Sequence, residues 1–228
     1  MEAIILAGGF GTRLAQVVKD VPKPMAPVAG KPFLQYVADD LINQGVDQLV
    51  FAVCYKKECI MDYFGRKYRS TDVIYSVEAA PLLTGGAIRQ ALSLCRENRV
   101  FVVNGDTFFH VDLQALRRFS ERSEKLITIA VREMWDFSRY GKVEVNENKE
   151  VTAFFEKQFC EHGYINGGIY DLQRISLNDC PLKFSMEDEL FPSLLQSGQI
   201  GAFASDGLFI DIGIPEDYWR AQELFRGK

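Results

Sequence analysis

Residues 3–13 read AIILAGGFGTR: a short apolar run, three glycines and a terminal arginine. An apolar run of this length is typical of a buried strand. Ligands of open α/β sheets bind beyond the carboxyl ends of the strands. There glycine lets the backbone approach a ligand closely, and successive N–H groups can cradle phosphate oxygens. The glycines alone fit an ordinary strand-to-helix turn equally well. Other residues of the chain are needed to distinguish such a turn from a phosphate-binding turn.

The first half of the chain alternates between strand and helix patterns. Strands are predicted at 3–7, 48–53, 72–78 and 99–106, and helices at 32–45, 59–68 and 86–97. This alternation implies a largely parallel sheet with helices on both of its faces.

The second half is predicted to form strands without long helices between them. They lie at 126–131, 142–145, 151–156, 164–172, 202–205 and 208–213, before a last helix at 215–226. We therefore predict an α/β fold: a Rossmann-like mixed, mainly parallel sheet sandwiched by helices, with a small antiparallel extension that covers one side. The sequence has no repeat, low-complexity run or linker, so a single domain spanning 1–228 is expected.

Composition excludes several classes of protein. The chain has 228 residues, a net charge of −5 and 47% hydrophobic residues, which does not favour binding of long nucleic acids. No segment approaches the roughly 20 apolar residues of a membrane span, and the start lacks the basic region of a signal peptide. Five scattered cysteines without a CxxC pair and two isolated histidines argue for reduced thiols and against zinc. A cytoplasmic protein is expected, and its oligomeric state is not indicated.

Lys23 stands between Pro22 and Pro24. Prolines stiffen the chain and push the preceding residue towards extended conformations. A lysine in such a frame loses less freedom when it binds an anion, so Lys23 is a candidate phosphate ligand.

Residues 6–25, LAGGFGTRLAQVVKDVPKPM, resemble the signature of the sugar-1-phosphate nucleotidyltransferases, GGxGTRL followed about ten residues later by PKP. The resemblance implies the nucleotide-diphospho-sugar transferase fold, an NTP and a sugar 1-phosphate as substrates, and Mg²⁺. It also implies a nucleotide-binding half, 1–110, and a sugar-phosphate-binding half, 111–228. Arg13 and Lys23 are then catalytic residues that neutralise phosphate charge.

Two aspartates at strand ends are candidate metal ligands. Asp106 ends VVNGD and Asp211 lies in LFIDIGIPEDY. Mg²⁺ prefers oxygen ligands, usually one or two carboxylates plus substrate phosphates. A single aspartate is more often a turn former, but the resemblance implies that both are catalytic and bind the metal. Glu216 and Asp217 are expected to open the last helix, where negative charge is favourable.

Residues 78–92, EAAPLLTGGAIRQAL, resemble the base-recognition stretch of the family, with Leu83 where glycine is usual. The Glu78 carboxylate can accept two hydrogen bonds from guanine, whereas uracil and thymine offer one imide N–H, so GTP is modestly favoured. The implied nucleotide-binding residues are Leu6, Ala7, Gly8, Gly9, Gly11, Thr12, Arg13, Lys23, Glu78, Pro81, Thr84, Gly85, Asn104 and Asp106.

Three stretches of the second half match those that line the sugar and its phosphate in the family. They supply Tyr140, Gly141, Glu156, Lys157 and Asn166. Within the family, the short guanylyltransferases that act on a heptose 1-phosphate are the most similar. Open alternatives are guanylyl transfer to mannose 1-phosphate, uridylyl or thymidylyl transfer to N-acetylmuramic acid or glucose 1-phosphate, a nucleotide-sugar binding protein without catalysis, and a glycosyltransferase, which would normally carry a DxD motif.

Overall fold

A computed structural model describes residues 1–9, 11, 14 and 17–227. The strands are β1 Glu2–Leu6, β2 Pro27–Val28, β3 Lys31–Pro32, β4 Gln48–Val53, β5 Lys67–Tyr68, β6 Thr71–Val77, β7 Arg99–Asn104, β8 Thr107–Phe109, β9 Ile127–Phe137, β10 Gly141–Val145, β11 Val151–Lys157, β12 Cys160–Gln173, β13 Ile200–Ser205 and β14 Phe209–Asp211. The α-helices are α1 Phe33–Asn43, α2 Lys57–Phe64, α3 Leu83–Leu92, α4 Leu113–Ser123, α5 Phe191–Gln196 and α6 Pro215–Leu224.

The centre of the main sheet is parallel. Its order is β7-β1-β4-β6, and β1 pairs with both neighbours, Ile4 lying opposite Val50 and Val102. The three inner strands β7, β1 and β4 are largely apolar and buried on both faces because helices cover both. All four strands end at the same edge of the sheet, which creates the position for a binding site.

The antiparallel strands β9 to β12 belong to the main sheet, whereas β8 with β14 and β2 with β3 form two separate two-stranded antiparallel sheets. The 14-residue strand β12 pairs with β7 through residues 169–173, with β10 near its start, and with β9 along much of its length. The outer strand β11 pairs with β10, and β13 joins β9 in parallel. The antiparallel strands therefore extend the sheet at one edge, and the expectation that they cover one of its sides is corrected.

Hydrophobic residues are buried on both faces of the sheet. Ala3 and Ile5 of β1 pack into one core with α1, α2, α4 and α6, whereas Ile4 packs into the other with α3 and α5. Alternate residues of a strand point to opposite faces, so one strand contributes to both cores. The predicted fold, a mainly parallel sheet sandwiched by helices, is confirmed.

Two helices of the second half were not predicted from the sequence. In α4, the Asp112 side chain accepts a hydrogen bond from the Ala115 N–H at 2.8 Å, and Leu113 and Leu116 are buried. An N-cap aspartate before an apolar pair is a recognisable helix start. The short helix α5 follows a five-residue π-helical segment, Met186–Leu190. Within the described residues, none of the helices has the length and apolar character needed to cross a membrane.

Candidate active site

A cleft of about 500 Å³ lies at the carboxyl ends of β1, β4, β6 and β7. The glycine-rich turn after β1 forms one part of its wall, and the residues after β6 and β7 form others. Its lining residues are Leu6, Gly8, Gly9, Gly11, Lys23, Pro24, Ala52, Glu78, Pro81, Leu83, Thr84, Ala87, Asn104, Asp106 and Gly213. Ten of the predicted nucleotide-site residues are among them, namely Leu6, Gly8, Gly9, Gly11, Lys23, Glu78, Pro81, Thr84, Asn104 and Asp106.

Glycine is required at position 11 for two reasons. Gly11 has φ +59°, which side chains rarely adopt, and a Cβ there would lie 2.6 Å from the Lys23 Cβ. The turn therefore passes directly against the segment that carries Lys23. Thr12 and Arg13, predicted for the same turn, lie outside the described residues.

Lys23 starts a short 3₁₀ helix, Lys23–Met25, after an extended Pro22. Its position before Pro24 predicted an extended conformation, but the Ala26 N–H donates to the Lys23 carbonyl at 3.0 Å and closes a turn. The Lys23 side chain is only 11% exposed. Its ammonium donates to Asp106 Oδ2 at 2.6 Å and to Asp211 Oδ1 at 3.4 Å.

Strand pairing brings the two aspartates together. Asp211, at the end of β14, lies opposite Thr107 of β8, directly after Asp106. The Ile212 N–H donates to the Asp106 carbonyl at 3.1 Å, and the Gly213 N–H donates to Asp211 Oδ1 at 2.6 Å. Residues 105 positions apart in the chain thus share one ammonium group at the cleft.

This carboxylate pair fits a magnesium site. Among the described residues no group of three or more His, Cys, Asp or Glu side chains could hold a metal. Asp106 and Asp211 nevertheless converge on one cation, the Lys23 ammonium. Mg²⁺ in nucleotide sites is commonly bound by one or two carboxylates, with substrate phosphates and water completing the octahedron. Two carboxylates beside a cleft of about 500 Å³ are therefore a sufficient donor set.

Arg139 is a site residue that the sequence analysis missed. Its guanidinium lies 3.5 Å from Asp211 Oδ2 and also pairs with Asp217, which in turn lies 3.6 Å from Arg220. Arg139 thus restrains the carboxylate oxygen of Asp211 that Lys23 does not contact. The only sequence signal was a basic residue directly before Tyr140. Glu216 and Asp217 lie in the first turn of α6, as expected.

Glu78 lies at the other end of the cleft, directly after β6. It is 8% exposed, and its Oε2 accepts a hydrogen bond from the Leu82 N–H at 2.9 Å. Burial raises the pKa of this carboxyl group, and the hydrogen bond from Leu82 opposes the rise. Glu78 therefore fixes the loop that follows it, while its side chain also lines the cleft.

Thr84 lines the cleft, but Gly85 and Ala7 do not. The Thr84 hydroxyl donates to Glu187 at 2.6 Å and accepts from the Met186 N–H at 3.0 Å. A Cβ on Gly85 would overlap the Phe184 ring, so glycine is needed there for packing. Ala7 is 1% exposed.

The five predicted sugar-site residues come from the antiparallel strands and lie outside the cleft lining. Asn166 donates to the Tyr170 hydroxyl and accepts from the Gly168 N–H, both at 2.9 Å. A Cβ on Gly168 would lie 2.8 Å from the Asn104 Nδ2, so this turn adjoins the cleft.

Gly141 of β10 lies opposite Lys157 of β11, next to Tyr140 and Glu156. The Tyr140 ring packs edge-on against Phe209 and lines a second hollow together with Asp211 and Arg139. Glu156 and Lys157 are exposed. All of the five residues except Asn166 therefore lie at one end of the β10–β11 pair, where Tyr140 shares a hollow with Asp211.

A parallel sheet whose strand ends hold a glycine turn, a lysine and paired aspartates is the framework of an enzyme that handles nucleotide phosphates. The chain belongs to the nucleotidyl transferase family, whose pattern matches residues 2–227.

Two relatives are similar over almost their whole length. The D-glycero-alpha-D-manno-heptose 1-phosphate guanylyltransferase of Campylobacter jejuni is 45% identical, over 96% of this chain and 97% of its own. The enzyme of the same name from Aneurinibacillus thermoaerophilus is 43% identical, over 98% and 97%. The crystal structure of HddC from Yersinia pseudotuberculosis complexed with GMP-PN is 37% identical, covers 98% of this chain and 99% of its own, and superposes with a TM-score of 0.89.

Proposed function

We propose that this protein transfers the guanylyl group of GTP to D-glycero-α-D-manno-heptose 1-phosphate, forming GDP-heptose and pyrophosphate. The observation that carries the assignment is the convergence of Asp106 and Asp211 on the Lys23 ammonium at a glycine-lined cleft. The 45% and 43% identity to two heptose 1-phosphate guanylyltransferases supports the choice of donor and acceptor.

The reaction needs charge neutralisation more than proton transfer. A phosphate oxygen of the sugar 1-phosphate attacks the α-phosphorus of GTP, the new P–O bond forms, and the bridging bond between the α- and β-phosphates breaks to release pyrophosphate. The attacking oxygen is already an anion, so no general base is required. Positioning and electrostatic stabilisation then supply the catalysis.

Lys23 is the described cation best placed for this task, because its ammonium lies at the cleft with little exposed side chain. Its ammonium contacts both aspartates. We propose that it binds the phosphates of the nucleotide when Asp106 and Asp211 hold Mg²⁺. Arg13, in the glycine turn, is proposed to bind phosphate beside it.

Asp106 and Asp211 are the proposed magnesium ligands. The bound ion supplies Lewis-acid polarisation and neutralises the phosphate charge that develops during transfer. Arg139 keeps Asp211 oriented towards the cleft, since it contacts the oxygen opposite to the one that faces Lys23.

Glu78 is the proposed reader of guanine. Its carboxylate can accept from both the N1–H and the exocyclic amine of the base. The sugar phosphate is proposed to bind on the Asp211 side, against Tyr140, Gly141, Glu156, Lys157 and Asn166. The whole chain then acts as one domain with two binding halves, 1–110 and 111–228, and works in the cytoplasm, where GTP is supplied.

A substrate matrix tests the proposal. The protein is incubated with Mg²⁺, each of GTP, UTP, dTTP and ATP, and the 1-phosphates of the heptose, mannose, glucose and N-acetylmuramic acid, and pyrophosphate release is measured. We expect the highest kcat/KM for GTP with the heptose phosphate. A higher kcat/KM with mannose 1-phosphate would contradict the assignment of the heptose phosphate as acceptor. A preference for UTP or dTTP would contradict the assignment of GTP as donor. Nucleotide binding without pyrophosphate release would contradict the proposal that the protein is catalytic.

A further inference from the structure

Leu83, at the start of α3, has an unusual backbone conformation. Its φ is +63°, in the left-handed region that favours glycine. For L-residues with a Cβ this region is disfavoured, and such strain at ligand-binding sites persists only where the surrounding structure enforces it. The side chain is also 49% exposed, which is high for a leucine, and it lines the cleft.

The residues on both sides of Leu83 are fixed by hydrogen bonds. The Leu82 N–H donates to Glu78 at 2.9 Å, and the Leu82 carbonyl accepts from the Phe184 N–H at 3.2 Å. On the other side, the Gly85 N–H donates to the Phe184 carbonyl at 3.0 Å and Thr84 pairs with Glu187. Leu83 therefore cannot relax without breaking contacts of its neighbours.

The strained conformation leaves an apolar side chain at the cleft rather than in a core. Leu6, Ala52 and Ala87 also line the cleft, so Leu83 adds to an apolar wall. Glu78, a hydrogen-bond acceptor, lines the same cleft and lies five residues before Leu83, the first residue of α3. An apolar surface beside a carboxylate acceptor matches a nucleobase, which has an apolar face and donors at its edge.

We propose that Leu83 packs against the face of the base and is a specificity-determining residue that favours a purine over a pyrimidine. This inference rests on the proposed function, in which the cleft binds GTP. The larger face of guanine covers more of the leucine side chain than uracil does, and apolar contact grows with the area removed from water.

Calorimetric binding of GTP, UTP and tripolyphosphate to the full chain tests this. Leu83→Ala removes the side chain beyond Cβ and keeps the strain, whereas Leu83→Gly removes both. Leu94→Ala is the matched control, at an exposed leucine two residues beyond the end of α3. We expect both Leu83 variants to bind GTP about 5- to 30-fold more weakly and UTP less affected. Tripolyphosphate, which has no base, should bind all variants as it binds the wild type.

Thermal unfolding of the two variants distinguishes relief of backbone strain from general destabilisation of the fold. Leu83→Gly should melt above Leu83→Ala, because glycine relieves the left-handed strain. Unchanged GTP affinity in both variants would contradict the role of Leu83 and leave the proposed function in place. A loss of tripolyphosphate affinity equal to the loss of GTP affinity would also contradict this role, because it would indicate a distorted loop. A wild-type protein that binds neither nucleotide contradicts the proposed function and, with it, the role of Leu83.

Discussion

Lys23 shows how a single residue links sequence to chemistry. The prolines on either side restrict its backbone, Gly11 leaves the space against its Cβ, and the two aspartates hold its ammonium. The position of Lys23 in the cleft could be predicted because the signature of residues 6–25, GGFGTRL followed by PKP, is long and specific. Its contact with Asp211 could not, since 188 positions separate the two residues in the chain.

We predict that Lys23→Ala lowers kcat about a hundredfold and raises the KM for GTP much less. The ammonium should act most strongly where negative charge redistributes at the α-phosphate, and losing one such contact costs about 3 kcal/mol. Steady-state kinetics would measure this, with Lys67→Ala as the control at an exposed lysine. A change confined to KM would show that Lys23 only binds ground-state phosphate.

Glu78→Gln should reduce the preference for GTP over UTP. The amide oxygen can still accept from the Leu82 N–H, so the loop is retained, but the NH₂ group opposes a guanine donor. An opposed or unpaired buried polar group costs roughly 1–3 kcal/mol, so kcat/KM for GTP should fall about 5- to 150-fold and that for UTP less.

The same residue predicts a pH dependence. Burial raises the pKa of Glu78, so the ionised form that accepts both guanine donors is lost at a higher pH than for a surface glutamate. The GTP-to-UTP ratio of kcat/KM should therefore decline as the pH falls towards this raised pKa in the wild type and stay flat in Glu78→Gln. An identical profile in both proteins would remove Glu78 as the base reader.

At the scale of elements, Gly11 is where the turn after β1 lies directly against Lys23. Gly11→Ala should destabilise the fold by about 1–2 kcal/mol for the left-handed conformation alone, and should also lower kcat by displacing Lys23. Gly9→Ala is the matched control for stability, since a Cβ on Gly9 has no atom within 4 Å. Urea unfolding of the two variants measures the difference, and equal destabilisation would contradict the fit of Gly11 against Lys23.

Elements with a strong local pattern were predictable. The buried strands β1 and β4 read as apolar runs, and α1 and α6 showed helical periodicity. Helix α4 was missed although Asp112 marks its start, because its exposed face is strongly polar and only Leu113, Leu116 and Ser120 are buried. The left-handed Leu83 was not predictable, since neighbours distant in sequence, such as Phe184, impose it.

At the scale of the molecule, a buried ionic cluster links β7, α4 and β12 at the start of β7, whereas the proposed site lies at the end of that strand. Asp171 of β12 lies 3.1 Å from Arg117 of α4 and 3.7 Å from Arg99 of β7, and is fully buried. Among the residues that the structure describes, none forms a hydrogen bond with its Oδ1. Burial raises the pKa of Asp171 to about 6, although both arginines oppose the rise.

This raised pKa predicts how stability depends on pH. The folded state binds the Asp171 proton more tightly than the unfolded chain, whose carboxyl group has a pKa near 3.8. The stabilisation is therefore complete below about pH 3.8 and is lost as the pH rises through about 6. The free energy of unfolding of the wild type, relative to Asp171→Asn, should fall over this interval. A rise would show that the arginines hold the carboxylate ionised.

The overall architecture could be predicted because the alternation of strands and helices is visible in the local periodicity of hydrophobic residues. The position of the antiparallel strands did not, because local patterns do not state which strand is the neighbour of β7. Arg139 was missed for the same reason: its partners Asp211 and Asp217 are distant in the chain, and the pairing of β8 with β14 places Asp211 beside Asp106.

Asp106 and Asp211 are proposed to support transfer of the guanylyl group of GTP to a sugar 1-phosphate. A single-turnover reaction with excess protein, Mg²⁺, heptose 1-phosphate and GTP labelled at the α-phosphate tests it most directly. All of the label should enter GDP-heptose, and none should enter pyrophosphate. Asp106→Asn and Asp211→Asn should each slow this transfer by at least about a hundredfold. Asp179→Asn, the control at an exposed aspartate, should not slow it. Label released as free GMP, or wild-type rates in either site variant with the fold intact by circular dichroism, would contradict the account.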